Sequence, residues 1–375
     1  MRTLSRMNLG TSKEQPSLLE VLRNTPTDRI AVANALVLKR PPLDRVPPTA
    51  ELPVFIQLLH SHIRGLRDEH RLLLPNLHDS ETIAVFSDYG GDEKDSDYLT
   101  YSLLFVSYDI AFVILEDYRA LRKERGLHTP YVEVSYKSMD YGPLSRSLVH
   151  WLRVSDDLPG LLFTLIVKKD ARTIFYDNTP NDLAAITRTL EEEGFGQWKN
   201  KTAERLLRIL HCIGYFAALL SIPRHKFWWM TDKDEITPNP EKQKHLQRLL
   251  GHVLFKYCAK PHKTVAFSQS FDHDGRAANH DHNDLLAIPD LVAGGLANFC
   301  TTRLRPAGME RIPKRKSSTI VNWLGHQGIG LKKMQLVISP APRGTFDTPG
   351  GGYRADFLTI EPTDLENVHF VPINL

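Results

Sequence analysis

Cysteine is scarce in this chain. There are three, Cys212, Cys258 and Cys300, each in an apolar, helix-like setting. An odd, scattered set excludes a disulfide framework and a CxxC zinc pattern, and it fits buried thiols in a reducing cytoplasm. Excess charge of either sign is missing too. The net charge is +3, so no global field argues for nucleic acid, and any such case has to be local. Long hydrophobic runs are also missing. The longest, ILHCIGYFAALL at 209–220, is too short to span a bilayer and follows a charged amphipathic stretch, which fits a buried helix. MRTLSRMNLGTSKEQ at the start carries basic residues with no apolar run behind them, so neither a secretory signal nor a membrane partner is expected. There is no internal repeat and no low-complexity tract. What remains, 42% hydrophobic and 24% charged residues, is ordinary globular composition, and a cytoplasmic protein is expected.

Residues 1–50 are polar and rich in proline, and KRPPLDRVPP reads as extended chain. SLLEVLRN predicts a short helix, and residues 51–74 place apolar side chains at helical spacing. Residues 1–80 are therefore expected to form a partly helical appendage. Strands then alternate with helices. ETIAVFSDYGG, DYLTYSLLFVSYD, TPYVEVSYKSM, PGLLFTLIVKKD, RHKFWWMTDKDEI and TVAFSQSFD read as strands. Helices are predicted over IAFVILEDYRALRKERGLH, stopped near Gly126, over GPLSRSLVHWLRVS, and over 181–220 with a break at GFGQ. Two more follow, at PEKQKHLQRLLGHVLFKYC and DLLAIPDLVAGGLANFC. This alternation implies an α/β sheet with helices on its faces across residues 81–300. Residues 301–375 read as a basic extension with two strands, KKMQLVISP and YRADFLTIEP.

In such sheets chemistry gathers where strands end. Asp88 closes IAVFSD ahead of Gly90 and Gly91, where glycine permits a sharp turn. Asp232 closes KFWWMTD, with Asp234 two residues on. Read singly, both are solvated turn acids. Asp290 is different. It lies in the apolar LLAIPDLVAGGLA, where a lone carboxylate is costly without a partner or a cation. Pro289 places it in a first helical turn, and Ala293, Gly294 and Gly295 would let the helix approach a sheet closely. Glu133 shares a strand face with Tyr131 and Ser135, and alone it reads as a water-facing residue.

Together these pieces resemble a family. A strand ending in Asp then Gly, a segment running from Glu133 to Lys137, a strand ending in an acid, and a late L-x-x-x-D-L-x-A helix are similar to uncharacterised bacterial proteins with a ribonuclease H-like fold. Members are often linked to mobile elements and phage defence. The resemblance covers residues 82–300. It departs at Asp88-Tyr89-Gly90-Gly91, where members commonly read Asp-Glu-Ser-Gly, and at Pro289, where Ala is usual. It implies a ribonuclease H-like mixed sheet flanked by helices and a divalent-metal-dependent nuclease hydrolysing phosphodiesters of DNA or RNA. Two Mg²⁺ or Mn²⁺ ions would be held by carboxylates. Asp88 would bridge both, Glu133 and Asp232 would share one, and Asp290 would complete the other. Asp234 stands as the alternative to Asp232, and Lys137 is a possible helper. Without metal, four clustered carboxylates repel and some must protonate. The same resemblance allows a degenerate fold that only binds nucleic acid or serves as an assembly subunit, in a homo-oligomer or with a protein partner in a defence complex.

SFDHDGRAANHDHNDLLAIPD crowds acids and histidines together. His280, His282 and Asp284 match the H-x-H-x-D pattern of metallo-β-lactamase-type zinc hydrolases. Against zinc stand Leu285, where those enzymes usually show His, and a late position followed only by His326 and His369. The stretch otherwise reads as a polar loop ahead of the Asp290 helix. From it His280 or His282 would shuttle protons, and Asp284 would cap the helix or act as a reserve ligand. The basic block Arg303, Arg305, Arg311, Lys314, Arg315 and Lys316 would grip phosphates near the site, or is a solvated linker. Trp228, Trp229 and Trp323 are expected to serve the core.

Overall fold

The computed structural model describes residues 36–128, 131–171, 173–175, 180–232, 236, 238–258, 260–270, 277–304, 311–340, 352–358 and 360. SLLEVLRN, Asp234, Arg305 and residues 271–276 lie outside them.

Among the described residues the protein is α/β, with one seven-stranded mixed sheet and eight α-helices. Chain order runs α1 (Val54–Asp68), β1 (Thr82–Gly90), β2 (Tyr98–Ser107), α2 (Tyr108–Arg125), α3 (Gly142–Ser155) and β3 (Gly160–Lys168). It continues with α4 (Pro180–Glu192), α5 (Asn200–Leu220), β4 (Lys226–Thr231), α6 (Pro240–Cys258) and β5 (Thr264–Gln269). It closes with α7 (Ala277–Arg303), α8 (Arg315–Leu324), β6 (Leu331–Pro340) and β7 (Tyr353–Phe357). The spatial order is β5-β4-β1-β2-β3-β6-β7. β1, β2 and β3 form an antiparallel meander. β4 and β5 add in parallel on the β1 side. β6 adds in parallel to β3, and β7 closes antiparallel on β6. The C-terminal strands thus belong to the same sheet as the central ones.

Each face of the sheet carries its own core. On β1, Ile83 and Val85 point into a cluster with α1, α4, α5 and α6, while Ala84 and Phe86 point into one with α2, α3, α7 and α8. Strand period two therefore sends Asp88 to the α7 face. β4 alternates alike, with Phe227 and Trp229 on the first face and Trp228 and Met230 on the second. Trp229 and Trp323 are core residues, but Trp228 keeps partial exposure.

Local chemistry explains the boundaries. α2 stops at Gly126, whose φ of 67° is the left-handed conformation that glycine adopts cheaply, with Arg122, Lys123 and Arg125 in the last turn favoured by the helix dipole. β1 passes Asp88 and runs to Gly90, and the sharp turn falls on Gly91, with φ 88°. Over His280–Arg303, α7 has the length and apolarity of a membrane span, yet 67% of its 18-residue apolar window, of mean hydropathy 1.3, is buried within the protein.

Three expectations change. Glu133 is not on a strand: residues 132–135 have no regular structure, and only His128 and Tyr131 make an isolated bridge. Residues 277–284 form the start of α7 instead of a loop, so Asp290 lies mid-helix after an internal Pro289. The end of the basic block starts α8, a helix that composition had hidden.

Candidate active site

The pairing of β1 with β4 sets Ser87 beside Thr231. Asp88 and Asp232, each one residue further on, therefore fall side by side on the α7 face. α7 presents Asp290 to the same point, close enough to Asp88 for the two carboxyls to act directly on each other. Asp232 is near enough for its charge to act on both, and Glu133 for its charge to act on Asp290. Four acids separated along the chain thus share one locality. Among the described residues, however, no three His, Cys, Asp or Glu side chains stand arranged around a single point ready for an ion.

Close approach of α7 to the sheet depends on glycine, at Gly90. A Cβ there would lie 2.9 Å from the Ala293 carbonyl and 2.8 Å from Thr100 Oγ1. Thr100 Oγ1 itself donates to the Ala293 carbonyl at 2.9 Å. Gly294 and Gly295 do other work than expected. A Cβ on Gly294 would stand 2.3 Å from the Tyr136 ring, and one on Gly295 would be 3.0 Å from Ile320 of α8.

Tyr136 went unremarked in the sequence, and it organises the site. Its backbone N–H donates to Asp290 Oδ2 at 2.7 Å, and its hydroxyl meets Ser317 Oγ at 2.7 Å. Lys316 Nζ donates to the Tyr136 carbonyl at 2.9 Å and to Asp140 Oδ2 at 2.7 Å, and it sits 4.5 Å over the Tyr136 ring. Lys316 is buried in this role, so it braces the Glu133–Asp140 segment and does not reach for solvent. Ser270 Oγ donates to Asp232 Oδ1 at 2.6 Å.

Electrostatics follow from the crowding. The Asp88 carboxyl is pushed well above the ordinary range, first by burial and then by the Asp290 charge; the Tyr89 N–H, 2.7 Å from Asp88 Oδ1, pulls the other way. Asp290 rises to about 6, raised by burial and held back by the Tyr136 N–H and its bond to Asp88. Like charges at close range share a proton sooner than ionise together. Burial and mutual repulsion therefore favour a pair that keeps a proton over two free carboxylates.

The remaining candidates divide. His280 stacks on Tyr131 with ring centroids 3.9 Å apart. His282 Nε2 meets the Tyr108 hydroxyl at 2.6 Å. Both lie two to three helical turns before Asp290, so they do not stand above the acids. On a helix, positions 280 and 284 share a side and 282 faces away, so the H-x-H-x-D set does not converge on one ion. Asp284 is neither a cap nor a ligand: it is buried and doubly bonded to Arg122, with Arg122 Nε 2.8 Å from Oδ2. Arg119 pairs with Asp281 in the same way, Nε to Oδ1 at 2.9 Å. Arg303, Arg311 and Arg315 are exposed and Lys316 is committed inward.

Next to Asp290 opens a cleft of about 390 Å³, walled by the β1–β2 turn, α7 and the start of α8. Lys137, Lys314, Lys316 and Asn298 line it beside Tyr136. Compared with protein families, curated proteins and solved structures, the chain matches none of them. The geometry is left to speak for function.

The donor set is all oxygen, which suits Mg²⁺ or Mn²⁺ and not zinc or copper. A cation at these carboxylates would neutralise the charge that burial and repulsion oppose. The chemistry of these oxygens fits such an ion, but among the described residues no three of the side chains are gathered around one point to hold it.

Proposed function

We propose that this protein is a ribonuclease H-like, divalent-metal-dependent nuclease that hydrolyses phosphodiester bonds of DNA or RNA. One observation carries the reading: Asp88 on β1, Asp232 after β4 and Asp290 on α7 meet on one face of the sheet, with Glu133 close by. The architecture is compatible with it, since the resemblance implies a mixed sheet flanked by helices and the protein has one, of seven strands. A setting in phage defence or a toxin-like system rests on the sequence resemblance alone.

Asp88, Asp232, Asp290 and Glu133 would hold the ions, which when bound supply an activated water and a counter-charge for the leaving oxygen. The chain's own groups do the rest. The Tyr136 N–H fixes the Asp290 carboxylate, and Ser270 fixes Asp232. The Asp88–Asp290 proton must leave before both carboxylates can act as ligands, so activity should rise with pH through the titration of that pair.

Incubation of the protein with single- and double-stranded DNA and RNA, in Mg²⁺, Mn²⁺ or EDTA, tests the reading. Cleavage that needs the ion and is lost in Asp88→Asn and Asp232→Asn, both folded, is the expected result. Binding without cleavage under every ion would favour the degenerate binding subunit.

A further inference from the structure

The cleft beside Asp290 has two unlike walls. On one, Lys137 and Lys314 are exposed, and neither ammonium makes an ion pair among the described residues. Lys316 between them is already spent on Asp140 and the Tyr136 carbonyl, which holds that wall rigid. On the other, the β1–β2 turn contributes Asp92, Glu93 and Asp95. Asp92 is occupied by Arg205 at 3.1 Å; Glu93 and Asp95 form no ion pair among the described residues. Asp290, Asn298 and Thr301 of α7 line the cleft as well.

A polyanion cannot fill such a cleft symmetrically. Its phosphates have to face the lysine wall, and its uncharged side has to face the acids. A volume of about 390 Å³ is that of a small-ligand pocket. It suits about one nucleotide of a single strand, whereas a duplex would bring its second backbone against Glu93 and Asp95. We infer that the cleft binds a single nucleic-acid strand, with Lys137 and Lys314 as positioning residues for the backbone phosphate next to the one at the carboxylates. The placing of the scissile bond at Asp290 rests on the nuclease reading; the strand-binding role of the two lysines does not.

The test is binding of a fluorescein-labelled oligothymidylate, its duplex with oligoadenylate, and an oligouridylate, in EDTA, to the full chain. Fluorescence anisotropy is followed from about 50 to about 200 mM salt, the range over which phosphate contacts are read. Wild type should bind both single strands more tightly than the duplex. In Lys137→Gln/Lys314→Gln the slope of log K against log salt should shrink by about 1.4, at about 0.7 per single-strand phosphate contact. The Lys137→Arg/Lys314→Arg variant should restore it, and Glu93→Gln/Asp95→Asn should tighten binding. An unchanged slope in the Gln variant, or equal affinity for duplex, overturns the inference. Mn²⁺ binding, followed separately by electron paramagnetic resonance, reports on the carboxylates. If Mn²⁺ fails to bind while the lysine-dependent slope persists, the nuclease reading falls and the strand-binding cleft stands.

Discussion

Replacing Asp290 by Asn should stabilise the metal-free protein at neutral pH. Asparagine keeps an oxygen for the Tyr136 N–H and removes a charge that burial disfavours and that Asp232 and Glu133 repel. Asp290 has its carboxyl raised from 3.8 to about 6. A group whose folded value lies above its unfolded value contributes stability that is fully present below pH 3.8 and lost as pH rises through about 6. At about 1.36 kcal/mol per pH unit, the loss is about 3 kcal/mol above that window. It belongs to the Asp88–Asp290 pair jointly, because the two share a proton. The measurement is urea unfolding of wild type and Asp290→Asn in EDTA at several values between pH 4 and pH 8. The variant should match wild type at the acid end and exceed it by up to about 3 kcal/mol at the alkaline end. Added Mn²⁺ should close the gap by stabilising wild type only. A variant that is less stable at pH 8, or whose advantage is the same at pH 4, would refute the electrostatic account.

Gly294→Ala should force the Tyr136 ring aside, costing about 1–3 kcal/mol as an overpacked contact and lowering cleavage by unseating the N–H from Asp290; thermal unfolding and a nuclease assay read both. Arg122→Met alone leaves the buried Asp284 unpaired and should cost about 3–5 kcal/mol, whereas Arg122→Met/Asp284→Leu should recover most of it, as measured by denaturant unfolding of the two variants. Buried His211, held near 3 by desolvation and bonded at Nδ1 to the Tyr257 hydroxyl at 2.7 Å, is neutral when folded. Its contribution is therefore present above the unfolded value of 6.5 and is lost as pH falls from there towards 3. His211→Gln should flatten that acid limb of the stability profile.

The seven strands of the sheet were legible in the sequence because alternation and β-branched or aromatic content are local, but the same signals around Glu133 form no strand. IAVFSD and KFWWMTD announce both a buried face and an acid on it, and that parity brings Asp88 and Asp232 together. What was illegible depends on distant partners. The acid- and histidine-rich start of α7 reads as a loop, because its polarity is compensated by Arg119 and Arg122, which arrive from α2. Lys316 reads as a phosphate grip because nothing near it in sequence reveals Tyr136 or Asp140 as partners. Tyr136 itself gave no signal, since a main-chain N–H donor can belong to almost any residue. Glycine in LVAGGLA was correctly a sign of close packing, but the surface it packs on is a tyrosine ring and α8, while the sheet is approached at Gly90.

The strand order has a consequence for synthesis on the ribosome. β3, GLLFTLIVK, pairs on one side with β2 soon after it emerges, but on the other with β6, residues 331–340. Until that late segment leaves the exit tunnel, an almost wholly apolar strand shows a bare row of N–H and C=O groups, the kind of edge that recruits other chains. Truncation or stalling before residue 331 should therefore yield an aggregating product even though every proposed metal ligand has already been made.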